Sequence, residues 1–168
     1  MPDAIIIGGA NGAGKTTFAR QYLATGHPKA VYLNADEISR EHPSFAQPVA
    51  AGREYLRRLA AHVSAGEDFA LETTLASRMY SRRIPEWKAT GYRITLYFIE
   101  VPSAEFSIQR VASRVAAGGH HVPEVDIRRR HQRGLNLFKE CYRHLADEWY
   151  HYSTDEEGTY LVESSQTT

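Results

Sequence analysis

Cysteine is nearly absent from this sequence: Cys141 is the only one in 168 residues. No internal disulfide can form, and no thiolate metal cluster is available. Net charge is absent too. Lys and Arg total 20, and Asp and Glu total 20. That balance argues against a partner held mainly by bulk electrostatics, such as nucleic acid or a membrane surface. No apolar run approaches the roughly 20 residues that cross a bilayer. The opening Met1-Pro2-Asp3-Ala4 lacks the positive flank of a secretory signal. The expectation is a soluble, cytoplasmic protein without a membrane or nucleic-acid partner. Repeats, low-complexity segments and linkers are also missing, so residues 1–168 read as a single domain able to bury its own core.

What is present alternates between strand and helix patterns. Ala4–Gly8 is a short apolar run with three isoleucines, the pattern of a strand covered on both faces. Lys15–Ala24 reads as helix and Ala30–Asn34 as a second strand. Gln47–Ala65 carries Val49, Tyr55, Leu56, Leu59 and Val63 near a helical period and stops at Gly66. Phe69–Leu71 predicts a third strand, Ser77–Ala89 a helix, and Arg93–Val101 the clearest strand. Ser103 is placed to cap a helix running to about Ala117. After the break at Gly118-Gly119, helix resumes from about Pro123 to Asp147. Trp149–Ser153 and Thr159–Val162 flank a turn and predict a hairpin within about 149–163. The closing "SSQTT" reads as frayed. Tyr55, Tyr92, Trp87 and Trp149 read as core. The alternation predicts an α/β three-layer sandwich with a mainly parallel sheet.

"GANGAGKT", Gly9–Thr16, fits G-x-x-x-x-G-K-[ST] between a predicted strand and a predicted helix. Such a loop turns backbone N–H groups and a helix N-terminus toward phosphate oxygens. The nucleotide-binding stretch is therefore Gly9, Ala10, Asn11, Gly12, Ala13, Gly14, Lys15, Thr16 and Thr17. Lys15 would reach the β- and γ-phosphates, and Thr16 would ligate Mg²⁺. The guanine-specifying N-K-x-D is absent. So are the L-S-G-G-Q of transport ATPases and an apolar run ending in Asp-Glu. What remains looks like a P-loop kinase that binds a nucleoside triphosphate with Mg²⁺ and acts on a small-molecule substrate.

In a parallel sheet, ligands bind beyond the carboxyl ends of the strands. Asp36, Glu37 and Glu72 should reach that edge. Asp36 would accept the proton of an attacking hydroxyl, unless it serves only to cap a helix starting near Glu37. Glu72 would orient substrate or hold a metal-bound water. Between Ser103 and Arg133 lie Arg110, Arg114, Arg128, Arg129, Arg130 and Arg133, against Glu105, Glu124 and Asp126. Arg110 and Arg114 share a helix face. The segment about 110–133 reads as a helical lid whose arginines offset charge on a transferring phosphoryl group. His120 and His121 lack a third metal ligand; a lid contact to phosphate or substrate suits them better.

Taken in order, "GGANGAGKTT", "LNADEI", "FALETTL" and "RVASRVAAGGHHVPEVDIRRR" resemble the zeta toxin family of P-loop kinases, above all its short chromosomal relatives. The resemblance runs from about Ala4 to Leu137. It implies ATP- and Mg²⁺-dependent phosphorylation of UDP-N-acetylglucosamine at the sugar 3′-hydroxyl, and it raises the expectation of an antitoxin partner. It implies Lys15 as the phosphate-loop lysine, Thr16 as the magnesium-binding hydroxyl and Asp36 as the base. Arg110 or Arg114 matches the first phosphate-contacting arginine, and Glu72 with Thr73 faces substrate. Where longer toxins carry a second lid arginine, this sequence has His120. Arg128, Arg129 and Arg130 are the alternatives, and Arg129 is counted with Glu72, Thr73 and His120 in the substrate-facing set.

Overall fold

Ile5, Ile6 and Ile7 are all completely buried. A pleated strand sends successive side chains to opposite faces, so this run feeds two cores at once. The strand that carries it is central. The computed structural model describes residues 1–166 and contains one mostly parallel sheet of six strands with helices on both faces. In chain order the elements are β1 (Asp3–Gly9), α1 (Lys15–Gly26), β2 (Val31–Leu33), α2 (Ala35–Glu41), α3 (Pro48–Ala65), β3 (Phe69–Thr73), α4 (Met79–Ala89), β4 (Arg93–Glu100), α5 (Ala104–Ala116), α6 (Glu124–Leu137), α7 (Arg143–Leu145), β5 (Glu148–Thr154) and β6 (Thr159–Ser164). The strand order is β2-β3-β1-β4-β5-β6, and only β6 is antiparallel to its neighbour.

Ile6, Leu71, Leu96 and Phe98 join the core that α3 and α4 cover with Tyr55, Leu59, Ile84 and Trp87. Ile5, Ile7, Ala70, Tyr97 and Ile99 join the core on the α1 face, with Ala19 and Leu23. Each large aliphatic or Phe side chain among them contributes about 1.5–3 kcal/mol through burial. Register then sets the functional edge. Gly8 pairs with Thr73 and Leu33 with Leu71, so the phosphate loop, the β2–α2 junction and the end of β3 emerge side by side.

Several expectations need correction. Val49 is 67% exposed, because the first turn of α3 lies outside the core that Tyr55 and Leu59 enter. The helical stretch expected from Pro123 to Asp147 is present from Glu124 to Leu145, but it contains a π turn. α6 ends at Leu137, a π turn spans Phe138–Tyr142, α7 follows, and β5 already starts at Glu148. The wider turn lets Phe138 and Tyr142 both be fully buried. Phe138 stacks on Phe98 with ring centroids 4.5 Å apart, and the Tyr142 hydroxyl donates to the Ser77 carbonyl at 2.5 Å. Trp149 is only half-buried. Helix α2, raised in the sequence only as a helix near Glu37 that Asp36 could cap, is present from Ala35. At the expected frayed end, Ser164 belongs to β6, and the Ser165 N–H donates to the Trp149 carbonyl at 2.9 Å. Thr167 and Thr168 lie outside the described residues.

Candidate active site

The phosphate loop joins β1 to α1. Gly12 has φ +75° and Gly14 φ +85°, backbone positions that favour glycine. Gly12 also has no room for a side chain: a Cβ there would meet the Cβ of Arg110 at 3.0 Å and the Ser107 carbonyl at 3.2 Å. Helix α5, capped by Ser103 as its position predicts, therefore lies directly against the loop. Ala10 and Ala13 are buried and pack into the core beneath, so they shape the loop rather than its surface.

The Lys15 ammonium donates to the carbonyls of Gly9 and Ala10, both at 2.9 Å. Burial lowers its pKa from the usual lysine range to about 8; Glu72 opposes this, Arg114 adds to it, and Asp36 and Arg130 act more weakly. The Thr16 hydroxyl donates to Glu72 at 3.1 Å. Glu72 is the hub of the site. It also accepts from the Tyr32 hydroxyl at 2.5 Å and from the Asn34 amide nitrogen. Burial, reinforced by the bond to Glu72, pushes the Tyr32 phenol well above its ordinary pKa, so it remains a donor.

Asn34 caps α2 through its side-chain oxygen, which accepts the Asp36 N–H at 2.9 Å. Asp36 is thus not the cap. It occupies the first turn of α2, where the helix dipole favours a carboxylate. Glu37 is drawn away to Arg20 at 2.9 Å, while Asp36 faces the cleft.

That cleft measures about 420 Å³. The phosphate loop from Asn11 to Thr17 floors it, Asn34 and Asp36 bound one side, and Glu72, Thr73 and Thr74 another. Arg110 and Arg114 enter from α5 and Arg130 from α6. Arg110 lies 5.3 Å from the Phe106 ring centroid, and Arg130 reaches the Asn11 side chain at 3.5 Å. Four cationic groups thus converge opposite two carboxylates, a pattern suited to a polyphosphate with an acceptor beside it.

The zeta toxin family profile matches residues 1–157. The chain belongs to the zeta toxin family. An uncharacterised Haemophilus influenzae protein is 28% identical over 127 residues, 72% of this chain and 86% of that protein. Among solved structures, a chain of the PezAT chromosomal toxin–antitoxin system of Streptococcus pneumoniae superposes with a TM-score of 0.72 at 20% identity, covering 100% of this chain and 73% of that one. A chain of the AvrRxo1-ORF1:ORF2 complex with ATP gives 0.62 at 18% identity, covering 98% of this chain and 58% of that one. These neighbours share the P-loop kinase fold.

Against this zeta toxin fold, two expected residues stand apart. Arg129 points away from the cleft and pairs with Asp126 one turn earlier on α6 at 2.7 Å. Its neighbour Arg130, on the inward face, enters instead. His120 is exposed in the α5–α6 connection, where its carbonyl accepts from Arg114 at 3.4 Å. Tyr32 and Asn34 were missed by sequence reasoning. The signal was available: alternate residues at the end of a strand share one face, and Asn before an acidic first turn is a capping pattern. A magnesium ion suits the donors present. Thr16 and Glu72 offer hard oxygens of the kind magnesium takes, and no group of three or more His, Cys, Asp or Glu that could hold a metal ion occurs among the described residues.

Proposed function

We propose that this zeta toxin family protein transfers the γ-phosphoryl group of ATP to a small-molecule hydroxyl, with UDP-N-acetylglucosamine as the first candidate acceptor. The observation that carries the reading is the convergence of Lys15, Arg110, Arg114 and Arg130 on one cleft that also holds Asp36. Thr16 and Glu72 would hold Mg²⁺, which would neutralise charge between the β- and γ-phosphates. Lys15 would exchange its two carbonyl partners for phosphate oxygens. The acceptor oxygen attacks the γ-phosphorus, its proton passes to the Asp36 carboxylate, and the bond to the β-phosphate oxygen breaks. The arginines offset charge spread over the phosphoryl oxygens. Thr73, beside Glu72, would contact the acceptor. The α5–α6 segment would close over the nucleotide as a lid.

Family membership and the ATP complex of AvrRxo1-ORF1:ORF2 support ATP as donor. The PezAT likeness motivates an antitoxin as protein partner. No helix among the described residues is long and apolar enough to cross a membrane, and a cytoplasmic location fits the use of ATP.

The test is incubation with ATP, Mg²⁺ and UDP-N-acetylglucosamine, followed by mass spectrometry of the sugar nucleotide. The expected result is a gain of one phosphoryl group that Asp36→Asn abolishes while ATP binding persists. ATP binding without any acceptor modified, across a screen of hydroxyl metabolites, would overturn the kinase reading.

A further inference from the structure

The two edges of the sheet are not alike. β2 is only three residues long, and a short edge strand offers little to pair with. β6 has six residues, Thr159–Ser164, with no proline and no lysine. Among the described residues no strand lies along its outer side. Tyr160, Leu161 and Val162 are 53%, 49% and 55% exposed. Neighbours in a strand face opposite ways, so β6 is apolar on both faces. The other large exposed apolar residues, Met1, Val49, Met79 and Val125, are scattered singly along the chain. The family match ends at residue 157, so β6 lies beyond it.

Charge around this edge is mainly negative, with Arg110 of α5 bordering the acidic turn from the other side. No Lys or Arg follows Arg143, although the whole chain is neutral. Asp155, Glu156 and Glu157 form the turn before β6, and Glu163 lies near its end. No ion pair among the described residues engages these four. Asp147 and Glu148, nearby, are matched by Lys88 and Arg93. The free edge is therefore an apolar strand bracketed by carboxylates without an ion pair among the described residues, Asp155 accepting only backbone N–H groups of its own turn.

We propose that the outer edge of β6 is a docking site for a β-strand of another protein, apolar at its centre and carrying Lys or Arg at its ends. Main-chain hydrogen bonds would extend the sheet, side chains on both faces would cover Tyr160, Leu161 and Val162, and the flanking cations would meet the acids. A second copy of this chain fits poorly. Antiparallel pairing of two β6 strands sets Glu163 of each copy beside the acidic turn of the other, and parallel pairing stacks like charges directly. The proposal does not depend on the chemistry of the cleft.

The test uses the full chain and a fluorescent peptide, Lys-Lys-Val-Thr-Val-Thr-Val-Lys-Lys, N-methylated along one edge so that it cannot stack on itself. Its counterpart carries Glu for Lys. The lysine peptide should bind at least about tenfold more tightly than the glutamate one. Binding should slow hydrogen exchange in β6 and weaken about tenfold with Val162→Lys. Because Val162 is exposed, that variant should fold, and Val162→Thr, which keeps strand propensity, should still bind. Equal binding of both peptides, no binding, or protection elsewhere would overturn the proposal. A concentration-dependent dimer lost on Val162→Lys would overturn it too, by assigning the edge to a second copy.

Discussion

The side-chain amide of Asn34 donates to Glu72, while its oxygen accepts the backbone N–H of Asp36 at 2.9 Å. One residue therefore fixes the hub carboxylate on β3 and the first turn of the helix that carries the candidate base. Asn34→Ala should lose the cap, at about 1 kcal/mol, and release Glu72. Asn34→Asp should keep the cap but set a second carboxylate against Glu72. The expected outcome is a lower urea midpoint for both, through the lost cap in Asn34→Ala and through the opposed carboxylates in Asn34→Asp, with phosphotransfer reduced in both. An unchanged midpoint for Asn34→Ala would remove the cap from the explanation.

Arg129 and Arg130 are adjacent in sequence and opposite in fate. Arg130 lines the cleft, whereas Arg129 is tied to Asp126 on the exposed side of α6. If Arg130 contacts the transferring phosphoryl group, Arg130→Ala should lower the phosphotransfer rate about 10³-fold. Arg129→Ala should change it little, and stability by under about 0.5 kcal/mol. Single-turnover rates of the two variants decide between them.

This pair also marks where the sequence stops being readable. The phosphate loop was legible because its spacing is the chemistry: Gly12, Gly14 and Lys15 follow from backbone geometry alone. That β1 lies inside the sheet follows from its three consecutive isoleucines, whereas the order of the strands around it came only from the structure. Which of three consecutive arginines turns inward is not local information. It depends on how α6 is rotated against β1 and α5, and that is set by buried Ile127, Gly134 and Leu137 together. The π turn at Phe138–Tyr142 was hidden for the same reason, since only the packing of Phe138 on Phe98 rewards it. The role of Asn34 needed the β2–β3 register before Glu72 could be seen beside it.

Lys15 makes stability and nucleotide binding depend on pH in opposite senses. Burial holds its pKa near 8, below the 10.5 of a solvated lysine. Between those values the unfolded chain binds more protons than the folded one, so stability rises with pH across the window and is flat below it. Other groups titrate in the same range, so the comparison is with Lys15→Met, which should lack this contribution. Urea midpoints below and above pH 8 should rise more for the unmodified protein than for the variant. ATP affinity should fall over the same range, because the ammonium that faces the phosphates is lost.

Gly134 lies inside α6, where helix propensity alone would favour alanine by about 1 kcal/mol. Packing forbids it. A Cβ at Gly134 would lie 2.5 Å from the Thr74 carbonyl oxygen, which is backbone and cannot swing aside. Thr74 precedes Leu75, a buried residue held at φ +53°, whose N–H donates to the Thr73 hydroxyl at 3.0 Å. The helix that carries Arg130 is thus pressed against the loop that carries Thr73 and Thr74. Gly134→Ala should therefore destabilise, by about 1–3 kcal/mol, reversing the sign that propensity predicts. It should also lower phosphotransfer more than ATP binding, because the displacement falls on the acceptor side of the cleft. An unchanged or raised urea midpoint would mean that α6 can slide away from Thr74, and that the contact does not fix the two halves of the site to each other.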